Sequence, residues 1–473
     1  MTMMVMLTAV HVAIFLVMTL HALARPDVNS TTRIAWVLVL FILPVVGILL
    51  YFIFGEIRFN GARGRAHRAA EAVTQPLAVA SGEAHDLVRQ GPASGFATMI
   101  NGFGVTQGNR AELLASPHVQ RERMIADFDA ATRFINVFYY IWLDDETGRS
   151  VAAALMRAAR RGVTVRAGVD AVGSRDFLGS QTWQDMKDAG VQTQVALPLG
   201  NPFVTIYTRR PDLRNHRKIT VIDGRICHCG SQNCADPEFR VKAAYAPWVD
   251  IMVRFEGPVA RQMDLLFAQC WFEDKPIDLA PWTYETQGFE DGIAAQVVGT
   301  GPTLQKGVTA QLIARLIGEA RRELIITTPY FAPGDVVADA IMGAAVAGVR
   351  VILIVPRRND SGFVGPASRA YYPLLAEAGV EIAEFNGGLM HAKTLTVDGE
   401  MTFLGATNID YRSFDLNFEN DILLRDRQLT QAIRARQMDY LADSTRVDTQ
   451  DIAGWPVWKR IWHNAFTTMV PLI

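Results

Sequence analysis

Cysteine is scarce. Four residues in a chain of 473 cannot build a disulfide framework, and Cys227, Cys229 and Cys234 stand too close together to staple distant elements. A reducing compartment fits that usage best. Cys227-His228-Cys229 has metal-ligand residue types, but alternation along a strand puts both thiols on one face and needs no ion. Net charge is lacking too. Lys+Arg 46 against Asp+Glu 48 leaves a formal charge of −2, so no global basic field points to nucleic acid and any anion site is local. A hydrophobic content of 50% excludes a disordered chain. At roughly 150 residues per domain the length implies two to three domains and excludes a lone small binding module.

Ionised side chains are wholly absent from two early stretches, residues 3–24 and 34–54. Each reaches the roughly 20 residues that span a bilayer. One such run could be a buried core helix. Two in tandem, joined by the short polar link 25–33, form the pattern of a two-helix transmembrane hairpin over residues 1–54. A cleaved signal peptide would need a basic start, and residues 1–7 have none. Arg58, Arg63, Arg65 and Arg68 follow the second run, against Arg25 and Arg33 in the link. That asymmetry puts the bulk of the chain in the cytoplasm and the link outside, and near a bilayer the four arginines attract anionic headgroups. Residues 55–105, rich in Ala, Gly and Arg, read as a linker containing a helix.

The remainder repeats itself. Residues 124–166 read as an amphipathic helix, a strand at 134–140, an Ala-rich helix from Ser150, and Gly162-Val163-Thr164-Val165-Arg166 opening another strand. Residues 312–356 follow the same order, ending in Gly348-Val349-Arg350-Val351. Alternating strand and helix predicts an α/β class, with two similar α/β/α sandwich lobes, 106–290 and 291–473, about a pseudo-twofold axis.

The chemistry falls in one register in both lobes. His216, Lys218 and Asp223 recur 175 residues later as His391, Lys393 and Asp398, and Asn233 and Asn408 each stand fifteen residues after the lysine. The β-branched residues after each lysine predict strands, on which His and Lys two apart share a face that can hold a phosphate. Asp223 and Asp398 complete the motif as candidates, although Asp-Gly between two strands marks a hairpin turn before it marks an acid or base. Two imidazoles meeting across a pseudo-twofold axis suit phosphodiester chemistry. A neutral one attacks phosphorus in line, the other protonates the leaving alkoxide, and lysines and asparagine amides hold the oxygens. That scheme needs neither metal nor cofactor.

At these residues the chain resembles the phospholipase D superfamily with its duplicated HKD motif, and more closely the bacterial cardiolipin synthases. Arg214-Asn215-His216-Arg217-Lys218-Ile219, Pro247-Trp248-Val249-Asp250, Thr328-Pro329-Tyr330-Phe331-Ala332-Pro333 and Leu389-Met390-His391-Ala392-Lys393-Thr394 are similar to theirs, as are 355–361 and 368–372. The likeness covers nearly the whole chain, the apolar hairpin included. It implies a membrane-bound phosphatidyltransferase that joins two phosphatidylglycerol molecules into cardiolipin and releases glycerol, with His216 as nucleophile. It also implies a carboxylate further along each lobe orienting that lobe's histidine: Asp250 for His216 and Glu419 for His391. Ser231, where the family commonly has a second glycine, and 236–239 depart from the pattern beside Asn233. The implied location is the bacterial inner membrane, lobes facing the cytoplasm.

Arg357 and Arg358 follow an apolar strand, where α/β sheets bind ligands, and are candidates for lipid phosphate. A phospholipase D releasing phosphatidic acid would share every catalytic residue. A membrane-tethered nuclease would need a basic groove, which the charge balance argues against. A non-catalytic lipid-binding protein would tolerate decay of one motif, and neither has decayed. Trp455, Trp458 and Trp462, continued by Phe466 and Met469 and flanked by Lys459 and Arg460, lie at helical spacing. Such a stripe suits a membrane interface, but tryptophans so spaced are more often buried in protein, and packing against the second lobe is the expectation.

Overall fold

The computed structural model describes residues 2–25, 30–56, 59, 61–80, 91–201, 210 and 212–469. Leaving out two-residue ladders, the first half of the main sheet contains β1 (Thr106–Leu113), β2 (Phe134–Tyr139), β3 (Thr164–Asp170), β4 (Gln192–Ala196), β5 (Lys218–Ile222), β6 (Ile226–Gly230) and β7 (Met252–Glu256). The second half contains β8 (Ile293–Thr300), β9 (Glu323–Thr327), β10 (Arg350–Pro356), β11 (Glu381–Phe385), β12 (Thr394–Val397), β13 (Met401–Gly405) and β14 (Asn417–Arg425), with β15 (Ser444–Arg446) at the edge.

These strands form one sheet in the order β15-β11-β10-β9-β12-β13-β14-β8-β1-β7-β6-β5-β2-β3-β4. Outward from the centre the halves read 8-14-13-12-9-10-11 and 1-7-6-5-2-3-4, so every strand but the edge strand β15 has a counterpart in the other half. The pseudo-twofold passes between β1 and β8, which pair antiparallel through Thr106 with Ala295 and Asn109 with Ile293. Joining edge to edge removes the free edge that each half would otherwise expose.

Side-chain alternation puts helices on both faces. On β2, Ile135 and Val137 face an outer cluster with Val151, Leu155 and Ala158 of helix Glu146–Arg160, while Phe134 and Phe138 face the opposite core. On β9, Leu324 and Ile326 likewise meet Leu312, Ile313 and Leu316 of helix Val308–Gly318. The core between the halves takes Met263, Leu266 and Phe267 from helix Pro258–Trp271 and Leu429 and Ile433 from helix Arg427–Ala442. The halves thus share a hydrophobic core as well as a sheet. Cys227 and Cys229 point into that core from β6, and His228, on the other face, hydrogen-bonds Asp127 at 2.8 Å.

The segment read as a linker is more ordered than its composition suggests. Helix Ala62–Ala80 packs on Pro258–Trp271 and buries His67 between Glu71 (3.3 Å) and Glu273 (2.9 Å). Arg63 donates to Asp274 at 2.7 Å and Arg68 to the Phe59 carbonyl at 3.0 Å, so these two of the four arginines expected at headgroups are engaged with protein. Arg58 lies outside the described residues.

The first apolar run is helix Thr2–Ala24; the second divides into Ser30–Ile42 and Pro44–Phe54. Proline lacks the N–H that would continue the ladder, which accounts for the division. Met18, Ala22, Trp36, Leu40 and Tyr51 pack these helices together. Among the described residues no helix is long and apolar enough to cross a membrane.

The C-terminal helix Val457–Met469 corrects an expectation. Trp455 packs on the second half's outer core, but Trp458 and Trp462 are 69% and 55% exposed, so they are not core. The side that docks carries His463 and Thr467 instead, and the apolar side is left outward.

Candidate active site

Each motif histidine precedes a strand of its own half and is tied by its backbone to the other half. The ladder Arg214–Asn215 pairs parallel with Asn417 and Phe418, and His216 N–H donates to the Phe418 carbonyl at 2.9 Å. Symmetrically, Leu389–Met390 pairs with Trp248–Val249, and His391 N–H donates to the Val249 carbonyl at 2.9 Å. The residue after each of those carbonyls is a carboxylate. Glu419 Oε2 therefore meets His216 Nδ1 at 2.8 Å, and Asp250 Oδ1 meets His391 Nδ1 at 2.6 Å.

This reverses the expected assignment. Asp250 orients His391 and Glu419 orients His216, each across the pseudo-twofold. Binding Nδ1 leaves Nε2 of both rings free for chemistry.

Lys218 and Lys393 donate to the carbonyls of His216 and His391, both at 2.7 Å. All four side chains are buried, the lysines only 1% and 2% exposed. Burial pulls the Lys218 ammonium down to about 8 against the opposing pull of Glu419, and Lys393 down to about 7 against Asp250. Burial also lowers both imidazoles. His391 falls to about 4, with Asp250 resisting; His216 falls well below its ordinary value, with Lys218 and Lys393 adding to the effect. The carboxylates differ. Asp250 is held below the usual range by His391 in spite of burial, whereas burial pushes Glu419 well above it.

His216, His391, Asn233 and Asn408 line a single cavity of about 570 Å³. Asn233 Oδ1 accepts from the Ile141 amide at 3.2 Å, which leaves its NH₂ for a ligand. Asn408 Nδ2 donates to Ser413 Oγ at 3.1 Å, while its buried Oδ1 has no partner. Tyr140 and Trp248 flank the rings, with centroids 4.8 Å from His216 and 4.5 Å from His391. Two imidazoles and two amides line this space, with an ammonium group hydrogen-bonded to the backbone carbonyl of each histidine, an arrangement that can bind a phosphodiester, attack it and protonate what leaves.

The comparisons with known proteins agree. The family described as "Cardiolipin synthase, PLD-like domain" matches residues 124–271 and 313–439, and "Phospholipase_D-nuclease N-terminal" matches 12–56. Cardiolipin synthase A of Edwardsiella ictaluri is 34% identical over 458 residues, covering 93% of each chain. That of Klebsiella pneumoniae is 35% identical over 453 residues, again 93% of each. The chain belongs to the cardiolipin synthase family.

Phosphatidylserine synthase of Haemophilus influenzae superposes with a TM-score of 0.56 at 14% identity, over 75% of this chain and 92% of its own, which shows the shared phospholipase D-like fold. Within this cardiolipin synthase framework the other candidates sort clearly. Asp223, at φ 53°, accepts from the amides of Thr132 (2.9 Å), Arg133 (2.8 Å) and Phe134 (2.9 Å); Asp398, at φ 54°, does the same for Arg321, Arg322 and Glu323. Both are turn and capping residues at the far ends of β5 and β12. Arg357 and Arg358 do not line the cavity: Arg357 donates to Asn386 and Arg358 lies over the Tyr245 ring.

Sequence reasoning missed three features. Ser231 Oγ donates to Asp250 Oδ1 at 2.6 Å, so the departure from glycine acts on the carboxylate that orients His391. Arg412 lines the cavity near enough to His216 to depress its pKa, and Asp410 lines it near Lys393. The repeat itself was the available signal for these last two, because the aligned first-half positions hold Ala235 and Pro237.

Proposed function

We propose that the site joins two phosphatidylglycerol molecules. His216 Nε2 attacks phosphorus of the first lipid in line; the bond to the glycerol oxygen breaks as His391 hands it a proton, giving phosphatidyl-His216 and free glycerol. His391, now neutral, takes the proton from a headgroup hydroxyl of the second lipid, whose oxygen displaces His216 and yields cardiolipin. The mechanism is supported above all by the two imidazole–carboxylate pairs facing one cavity. Their difference supports the roles. His391 has an ionised Asp250 to stabilise its imidazolium and so suits the acid, whereas His216, with cations around it and Glu419 pushed toward neutrality, stays uncharged and nucleophilic.

Tyr140, Trp248 and Tyr330 in the cavity wall would limit the approach of water to the intermediate, as transfer requires. The apolar helices Thr2–Ala24, Ser30–Ile42 and Pro44–Phe54 attach the enzyme to a bacterial inner membrane, with the lobes on the cytoplasmic side. Incubating purified full-length protein with phosphatidylglycerol, with and without phosphatidylethanolamine, and identifying products by mass spectrometry tests the reading. Cardiolipin with stoichiometric glycerol is expected, and phosphatidyl on His216 in acid-quenched enzyme. Phosphatidic acid as the main product would make it a hydrolase; an adduct confined to His391 would exchange the roles.

A further inference from the structure

Helix Val457–Met469 leaves its largest apolar side chains outward. It docks on helix Val364–Ala370 through His463, through Phe466 against Phe363 (centroids 5.3 Å apart), and through Thr467, which donates to the Ala367 carbonyl at 3.2 Å. Outward it presents Val457 (63% exposed), Trp458, Ile461 (63%) and Trp462, a continuous stripe at positions i, i+1, i+4 and i+5. A helix on a water-facing surface carries the opposite pattern. Lys459, whose ammonium lies 4.3 Å from the Trp455 ring, and exposed Arg460 flank the stripe with positive charge.

The stripe adjoins the active site. Val364, on the helix beneath, lines the catalytic cavity, and Val172 and Val241, which also line it, are exposed at 39% and 56%. The C-terminal helix therefore stands one helix away from the cavity, against the element that carries Val364.

We propose that this helix seats the catalytic mouth on a phospholipid bilayer. Val457, Trp458, Ile461 and Trp462 enter the interfacial layer, Lys459 and Arg460 meet anionic headgroups, and the cavity opens where a lipid headgroup lies. The inference rests on the lipid-transfer reading for its occupant. Cationic flanks and the nearness of a lipid-accepting cavity favour a bilayer over a second copy of the chain.

The test uses the full-length protein in phosphatidylcholine vesicles containing phosphatidylglycerol. Because the four native cysteines are buried, Trp458→Cys takes an environment-sensitive fluorophore selectively. Bilayer docking predicts a blue shift and strong quenching by spin-labelled lipid; emission that stays water-like would overturn it. Independently, Trp458→Ser with Trp462→Ser should slow turnover of vesicle phosphatidylglycerol about tenfold or more, while the melting temperature and turnover of monomeric short-chain phosphatidylglycerol hold. Unchanged vesicle turnover, early melting, or a shift from dimer to monomer would refute the proposal, the last by making the stripe a contact between copies. If the probe is quenched but no cardiolipin forms, the docking stands and the lipid-transfer reading fails.

Discussion

Replacing Asp250 by Asn should disable His391, in the other half of the molecule, and leave His216 competent. The carboxylate lies 2.6 Å from His391 Nδ1 in a buried site, and its charge favours the imidazolium against desolvation. With charge centres roughly 4 Å apart and an effective dielectric near 20, the lost attraction is about 4 kcal/mol, or about three pKa units in the imidazolium. Turnover of phosphatidylglycerol, whose glycerol alkoxide must be protonated as it leaves, should fall about a thousandfold. A phosphatidyl ester of p-nitrophenol needs no acid, because its leaving group departs as a stable anion. With that substrate Asp250→Asn and His391→Ala should both give a burst of p-nitrophenolate matching the enzyme present, then stall, since no base activates the acceptor. Glu419→Gln should instead suppress the burst along with His216→Ala, because both remove the oriented nucleophile. The assay is stopped-flow absorbance on variants whose circular dichroism matches the parent. If Asp250→Asn grouped with His216→Ala, the carboxylates would serve their own halves and the cross-half geometry would be wrong. Were His391 the nucleophile, the two groups would exchange behaviour while their membership stayed the same.

His391 must carry a proton to act as the acid and its pKa is drawn down to about 4, so kcat/KM, measured at subsaturating detergent-dispersed lipid, should decline as pH rises above that value and decline further through about 7 to 8 as Lys393 and Lys218 lose their protons. A lysine depressed from 10.5 in the unfolded chain to about 7 in the folded one makes the unfolded state bind more protons between those values, so stability rises with pH there. Lys393→Met should accordingly abolish turnover yet raise the melting temperature at neutral pH, and a lowered melting temperature would contradict the burial argument. Ser231→Ala should reduce kcat about tenfold with KM unchanged, the loss of one hydrogen bond to a charged acceptor, and steady-state kinetics will show whether KM moves instead. Asp223→Ala and Asp398→Ala should each cost about 2 to 4 kcal/mol in urea unfolding while the folded fraction keeps its turnover; normal stability with lost activity would restore them to the chemistry.

Local pattern and internal repetition made much of this protein readable from its residues. The identical His, Lys and Asn spacings marked both halves of the site, and β-branched runs after each lysine placed His and Lys on one strand face. The Asp-Gly pairs declared their turns, since a positive φ between two strands is a local property; the amides that Asp223 and Asp398 bind, at 132–134 and 321–323, were brought there by folding. The carboxylates Asp250 and Glu419, 169 residues apart and so off the 175-residue register, were reached as a set only through the family resemblance. Their assignment was not legible. It depends on two-residue ladders, Arg214–Asn215 with Asn417–Phe418 and Leu389–Met390 with Trp248–Val249, that form only when the halves dock, and in a symmetric sequence either partner is equally near in principle. The same holds for the Trp458 and Trp462 stripe. Periodicity defines a helix face, but which face meets protein is set by what it packs against, and here a phenylalanine, a histidine and a threonine found Val364–Ala370 first. Ser231 and Arg412 gained their importance in the same way: each is an ordinary residue along the chain, and only folding brings one against Asp250 and the other to the wall beside His216.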